Sequence, residues 1–258
     1  MPEGDTVYRT ANTLRGALAG AVVTHCDIRV PAFATVDLTG EVVHEVASRG
    51  KHLLMRIGDL TVHSHLKMEG SWHLYRHGTK WRRPAYTARA VLETADWVAV
   101  GFSLGLLEVV ETADEESIVG YLGPDILGAD WDADEALRRL TADPARPVGS
   151  ALLDQRVIAG LGNVYRNELC FLRGILPTRP IGEVDDPARL IATAHRLIHA
   201  NKDRVERTTT GRLRGETDWV HGRRGRACLR CGTPIREGEL GESVLTQRET
   251  FWCPRCQV

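Results

Sequence analysis

Ser150-Ala151-Leu152-Leu153-Asp154-Gln155, followed by Gly160-Leu161-Gly162-Asn163-Val164-Tyr165, is the stretch that decides the second half of this chain. Apolar residues at helical spacing predict a helix from about Ser150 to Ala159 and another from Val164 to Leu172, with the glycines as the break between them. Glycines there permit a tight turn. They also leave backbone N–H groups and the Asn163 amide pointing toward an anion, although the same run serves equally well as a plain helix–turn–helix junction.

Reading outward, Asp186 and Pro187 predict the cap and first residue of a helix running to about Lys202, and Ala133 to Leu140 predicts another. Residues 120–128, with Gly123-Pro124 inside, read as a linker. Before it the period changes. Short β-branched runs at Val22-Val23, Val42-Val43, Leu53-Leu54-Met55, Leu60-Thr61-Val62, Ala90-Val91-Leu92, Val98-Ala99-Val100 and Leu106 to Val110 predict seven or eight strands, as in a sandwich or barrel. Val7, Ala11, Leu14 and Leu18 predict a leading helix over about 6–18, ended by Gly20. The expected class is α+β and multidomain: an N-terminal β-sandwich domain (1–119), the linker (120–128), a helical domain (129–222) and a small metal module (223–258).

That module rests on the four cysteines. Cys228-x-x-Cys231 and Cys253-x-x-Cys256, with 21 residues between the pairs, can close a tetrahedral thiolate site, and zinc suits such a site. So short a segment has little core, so the ion would contribute its folding energy. Cys26 and Cys170 lie in apolar contexts and read as buried and inert. Between the metal pairs, 245–250 reads as part of a β-hairpin with Arg248 near its tip, within reach of a phosphate or simply exposed.

A chain of 258 residues with 43% hydrophobic and 26% charged residues is an ordinary globular protein. It contains neither a run of about 20 apolar residues nor a basic-then-apolar leader, which excludes a membrane span and predicts a cytoplasmic protein in which disulfides are disfavoured. The net charge of −1 conceals an asymmetry. Between Glu93 and Ser150 there are thirteen acidic residues against three arginines, whereas between Lys202 and Arg236 ten Lys/Arg stand against four acids. The second segment is either a phosphate-binding surface or a solvated basic face.

The N-terminus carries the chemistry. Removal of Met1 before a small residue leaves Pro2 with a secondary amine, and an α-amino group titrates near ~7.7–8.0, so part of it is nucleophilic at neutral pH. Attack on an aldehydic carbon gives an iminium ion, an electron sink for eliminating a phosphate β to that carbon. Glu3 beside it can give or take a proton. It could also, with Asp5, simply decorate the first turn of a helix. Lys51, after Gly50 at the entry to a strand, is a candidate for phosphate contact or proton transfer. Met68, in the loop His65-Leu66-Lys67-Met68-Glu69-Gly70, could act as a wedge in a base stack. His63 and His65 share a strand face and read as residues that orient neighbours, because two imidazoles alone make a poor metal site.

Together and in order, these pieces resemble the formamidopyrimidine-DNA glycosylase/endonuclease VIII family over essentially the whole chain. The resemblance is carried by Pro2-Glu3-Gly4, Arg49-Gly50-Lys51, His65 to Gly70, Leu153-Asp154-Gln155 with Gly160 to Tyr165, Gly222-Arg223-Arg224-Gly225, and Trp252-Cys253-Pro254-Arg255-Cys256-Gln257. It implies a helix–two-turn–helix domain, a zinc-bearing hairpin and a monomer acting on damaged double-stranded DNA in base excision repair. It further implies that Pro2 attacks C1′, Glu3 protonates the sugar ring oxygen, and Lys51 contacts phosphate and supports catalysis. Asn163 and Arg248 would pinch the phosphates around the lesion, while Lys67, Met68 and Glu69 fill the space left by the extruded nucleotide. The Asp-Pro-Arg-Arg-Phe-Gly stretch of the purine-lesion branch is missing from Gly101 to Leu107. That favours the endonuclease VIII branch of actinobacterial type and oxidised pyrimidines. Asp5 stands where the family commonly has proline, and the spacing between the cysteine pairs is longer than usual.

Overall fold

A computed structural model describes residues 2–244 and 246–258; Met1, whose removal is expected to expose Pro2, and Leu245, within the expected hairpin, lie outside the described residues. The chain divides into two compact units, Met1–Tyr121 and Leu122–Val258.

The first unit opens with helix α1 (Gly4–Leu18). Val7, Ala11, Leu14 and Leu18 are each 1% exposed, so the apolar stripe read from the sequence is the buried face. Arg15 Nε donates to Val46 O at 2.7 Å, tying the helix to the strand beneath it. Among the described residues eight strands follow: β1 (His25–Ile28), β2 (Val43–Arg49), β3 (His52–Ile57), β4 (Leu60–His65), β5 (Ser71–Tyr75), β6 (Ala88–Glu93), β7 (Val98–Phe102) and β8 (Leu106–Glu111). They form two antiparallel four-stranded sheets, ordered β2-β3-β4-β8 and β1-β6-β7-β5. Leu53, Met55 and Val62 from the first sheet and Ala90, Leu92 and Ala99 from the second share one core with α1. The run Val22-Val23 is not a strand: Val22 makes only an isolated bridge to Val42. β1 and β5 lack the apolar runs that mark the other strands, so their His- and Trp-containing sequences conceal them. A four-residue helix α2 (Glu116–Val119) precedes Tyr121.

The second unit contains α3 (Ala133–Leu140), α4 (Val148–Leu153), α5 (Asn163–Arg173), α6 (Pro187–His199) and a hairpin of β9 (Arg236–Leu240) and β10 (Arg248–Trp252). Asp132 and Asp186 cap α3 and α6 through their side chains, with Pro187 in the first turn as expected. The first helix of the opening motif is shorter than its apolar pattern predicts and stops at Asp154. Gln155 explains the stop. Its amide donates to Leu153 O at 2.9 Å and Leu161 O at 2.8 Å, and its oxygen accepts from Gly160 N at 3.0 Å. One side chain thus supplies what further helical hydrogen bonds would have supplied, and Gly160 turns the chain at φ +104°. Among the described residues no helix is long and apolar enough to cross a membrane.

Candidate active site

In the first unit, Glu3 is the N-cap residue of α1, yet its side chain makes no capping bond, and it is fully buried. A side-chain cap therefore does not account for this carboxylate. Asp5 does serve the first turn, accepting from Thr6 N at 2.7 Å. Pro2 immediately precedes Glu3 and is half-buried. Both stand at the positive end of the helix dipole, where developing negative charge is favoured.

Lys51 is the second residue of the two-residue turn between β2 and β3, fixed by the register Arg49↔His52. Gly50 adopts φ +58°, as a tight hairpin demands of its first central position. The turn is short, so the position of Lys51 is set by the sheet rather than by a loose loop.

The loop Leu66–Gly70 is held at several points. His65 Nδ1 accepts from Lys67 N at 2.9 Å, Gly70 N donates to Leu66 O at 2.9 Å, and Arg83 Nη1 donates to Glu69 O at 2.9 Å. Lys67 takes φ +51°, and its side chain lies over Gly105, where a Cβ would come within 2.6 Å of it. Met68 is left 66% exposed on this braced loop. Exposure at that level excludes a core methionine.

Sequence reading missed His52, Glu108 and Tyr121. His52 Nδ1 and His63 Nε2 are 2.8 Å apart, His63 Nδ1 and Glu108 Oε1 2.7 Å, and His52 Nε2 and the Tyr121 hydroxyl 3.1 Å. The alternation of His63 and His65 was visible in the sequence, but His52 and Glu108 join them only through cross-strand register. Burial first, then His63, His65 and Lys51, hold the His52 pKa down to about 3; burial, Lys51 and Lys67 hold His65 down to about 4.

These shifts set a pH dependence. The unfolded chain protonates such histidines below about 6.5, whereas folded His52 resists protonation to about 3, so the unfolded state binds more protons between those values. Stability should therefore fall as pH drops through that window, by about 2 kcal/mol from His52 alone between pH ~7 and ~4.5. Urea midpoints at the two pH values measure this, and His52→Asn should flatten the slope. Equal midpoints for the wild type would contradict neutral burial.

In the second unit, Asn163 opens α5 and is 6% exposed. Its Nδ2 donates to Glu249 O at 2.9 Å, and its Oδ1 accepts from Arg166, whose Nη2 also reaches Glu249 O at 3.0 Å. Asn167 Oδ1 accepts from Phe251 N at 3.0 Å. The first turn of α5 is thus sewn to β10, and Asn163 bonds to the residue that follows Arg248, which begins that strand and is exposed. The sequence placed Asn163 and Arg248 85 positions apart; the hairpin backbone brings Asn163 to the residue next to Arg248.

Glu168, also missed, is fully buried and accepts from Trp219 N at 2.7 Å and from Val220 N and His221 N, each at 2.9 Å, as well as from the Thr209 hydroxyl. It fixes the segment that leads into the metal module. Part of the basic segment is likewise internally paired: Arg223 and Arg226 pair with Glu216 at 3.0 and 2.7 Å, and Arg224 with Glu237 at 3.0 Å.

The Sγ atoms of Cys228, Cys231, Cys253 and Cys256 all lie within 4.8 Å of one another, with Cys228–Cys256 at 3.9 Å and Cys231–Cys253 at 3.5 Å. A tetrahedron of thiolates around one ion at about 2.3 Å separates sulfurs by about 3.8 Å, close to those two pairs, so the four residues fit a metal. Cys228 and Cys253 pack with Phe171, Val220, Ile235 and Phe251, while Gln257 links Cys253 N (2.8 Å) to Ile175 O (2.9 Å). By contrast, Cys170 is buried among apolar groups that push its thiol up to about 12, as befits an inert core residue.

Comparison with known proteins agrees with this geometry. The family model described as formamidopyrimidine-DNA glycosylase N-terminal domain matches residues 1–103, and that described as the formamidopyrimidine-DNA glycosylase H2TH domain matches 122–208. The chain is 54% identical to "Probable endonuclease 8 2" of Streptomyces coelicolor, over 100% of this chain and 94% of that protein. It is 53% identical to "DNA-(apurinic or apyrimidinic site) lyase Nei2" of Mycolicibacterium smegmatis, over 100% and 99%. Among solved structures, a complex of the Lactococcus lactis Fpg protein with abasic-site DNA aligns over 100% of both chains with TM-score 0.82 at 23% identity, a likeness of fold.

Proposed function

The chain belongs to the formamidopyrimidine-DNA glycosylase family as a DNA glycosylase with AP lyase activity, and from that premise we propose that it excises oxidised pyrimidines from duplex DNA as a monomer, through Pro2. The observation that carries the proposal is the buried, non-capping carboxylate of Glu3 directly after Pro2.

In the proposed reaction the Pro2 nitrogen lone pair forms a bond to C1′ as the C1′–base bond breaks. Glu3 protonates the ring oxygen, the sugar opens, and an iminium ion results. Loss of the C2′ proton then expels the 3′ phosphate, and a second elimination expels the 5′ phosphate. Lys51, held at its hairpin, contacts phosphate and supports these proton transfers. The base must leave the stack to be reached, and Met68, carried by Lys67 and Glu69, would occupy the space it vacates. Asn163 and Arg248 would hold the flanking phosphates. Zinc is the ion proposed for the four thiolates, where it would supply structure rather than chemistry. The protein would act in the cytoplasm on nucleoid DNA.

Lesion class is argued from the β7–β8 connection. It consists only of Ser103, Leu104 and Gly105, with Leu104 8% exposed. So short a link, with its one large side chain buried, does not deliver an additional Arg and Phe into the helix, which supports pyrimidine over purine lesions. Borohydride trapping on thymine-glycol and 8-oxoguanine duplexes tests this: faster adduct formation with thymine glycol is expected, and a preference for 8-oxoguanine would overturn it.

Binding should weaken with salt as phosphate contacts release counterions. Asn163→Ala should lower affinity about tenfold irrespective of sequence, since phosphate contacts position rather than specify. Fluorescence anisotropy across a salt series measures both effects, and a salt-insensitive complex would contradict the phosphate assignment.

A further inference from the structure

The face of the β2-β3-β4-β8 sheet turned away from the hydrophobic core carries an array that the proposed reaction does not use. Leu53, Met55, Val62 and Leu107 point into the core, so by alternation His52, His63, His65 and Glu108 point to the opposite side. A carboxylate can only accept, so His63 Nδ1 donates to Glu108 across 2.7 Å. With His63 Nε2 as the acceptor, His52 Nδ1 donates to it across 2.8 Å, and His52 Nε2 accepts from the Tyr121 hydroxyl at 3.1 Å. This arrangement of protons satisfies all three bonds, running from Tyr121 inward to Glu108.

The exposure pattern is that of a conduit. His63 is 0% and His52 8% exposed, while Tyr121 at one end is 49% exposed and the Glu108 side chain at the other 30%. The His52 and His63 rings stack with centroids 5.0 Å apart. His65 stands edge-on to His52 at 5.2 Å but is occupied at Nδ1 by Lys67 N–H, so it is a wall of the array and not a link. The charged groups around the array are Lys51 and Lys67 near His52 and His65, and the Arg56–Glu115 pair further along the same face. His52 directly follows Lys51 in the chain and heads strand β3.

We propose that Tyr121, His52, His63 and Glu108 form a proton relay that carries a proton away from the Lys51 turn during strand cleavage. The step balances without a co-reactant. As Lys51 becomes neutral, its ammonium gives a proton to the Tyr121 oxygen. The Tyr121 proton passes to His52 Nε2, the Nδ1 proton of His52 to His63 Nε2, and the Nδ1 proton of His63 to the Glu108 carboxylate. Tyr121 and both histidines end neutral with their bonds reversed, and Glu108 releases the proton to solvent. The relay rests on the reading of this protein as a lyase in which Lys51 takes part.

Single-turnover cleavage of an abasic duplex tests it with Tyr121→Phe and Glu108→Gln. In the second variant the side-chain amide oxygen would still accept from His63, so the geometry persists while the terminus can no longer take a proton. Both variants should cleave about tenfold or more slowly, since positioned proton transfer contributes ~10²–10⁴-fold, while retaining DNA affinity and borohydride adduct yield. Added imidazole or formate should restore part of the rate in proportion to its concentration, leaving the wild type unchanged. Wild-type rates in both variants, or slow rates that no buffer restores, would overturn the relay in favour of a structural array. Tyr121 is half-exposed, so Tyr121→Phe keeps the test valid if Glu108→Gln folds poorly. Absence of any borohydride adduct with the wild type would instead refute the lyase reading, and the relay with it.

Discussion

With an uncleaved peptide ahead of Pro2, the enzyme will form no borohydride-trapped DNA adduct, and its cleavage of an abasic duplex will fall by ~10³-fold or more; proteolytic release of the peptide will restore both. The size of the effect follows from the nucleophile. Extending the chain converts the Pro2 amine into a tertiary amide, whose lone pair is delocalised into the carbonyl and unavailable to C1′. An ordinary surface lysine does not supply the same chemistry, because near pKa ~10.4 it is almost wholly protonated at neutral pH. This comparison is sharper than Pro2→Gly, which leaves a primary amine that can still condense with an aldehyde. Full activity in the extended protein would eliminate Pro2 as the nucleophile. Fold loss would not explain inactivity, since Pro2 precedes α1 and the helix is anchored by Val7, Ala11, Leu14 and Leu18.

Stripping the metal from the four-cysteine site should abolish DNA binding, with at least ~100-fold loss of affinity, and Cys253→Ser should do the same. Structural zinc in such small modules contributes ~10–16 kcal/mol of folding energy, far more than this hairpin can gain from its own packing. The consequence extends beyond the module. Phe251 and Cys253 share a core with Phe171 of α5, and Glu249 O receives the Asn163 amide, so melting the hairpin also frees Asn163 and displaces Arg248. Metal content by mass spectrometry, with anisotropy on the same sample, decides the matter. Unchanged affinity after verified metal loss would refute a structural role for the ion.

Much of this was legible from residues alone wherever the information is local. The α1 stripe, the Asp186–Pro187 helix start and the paired cysteines each depend on spacings within a few residues. The ordered motifs from Pro2-Glu3-Gly4 to the last CxxC pair pointed to the family. Less visible were the strands β1 and β5, whose polar and aromatic sequences lack an apolar run. Also hidden was the stop of α4 at Asp154, which Gln155 imposes through three hydrogen bonds with residues up to six positions away. The basic segment shows the same limit. Counting charges could not reveal that Arg223, Arg224 and Arg226 are partnered by Glu216 and Glu237.

What the sequence determined by itself was the set of candidate groups and the order of the elements that carry them: a proline before a carboxylate, a lysine after a turn glycine, four thiols in two pairs. Only the tertiary structure decided that Glu3 is buried without capping its helix, that Asn163 reaches the strand begun by Arg248, and that His52, His63 and Glu108 line up behind Tyr121. The reason is physical. Local spacing fixes which side chains share a face of one helix or strand, whereas hydrogen bonds between distant segments depend on sheet register and on which buried polar groups must find partners.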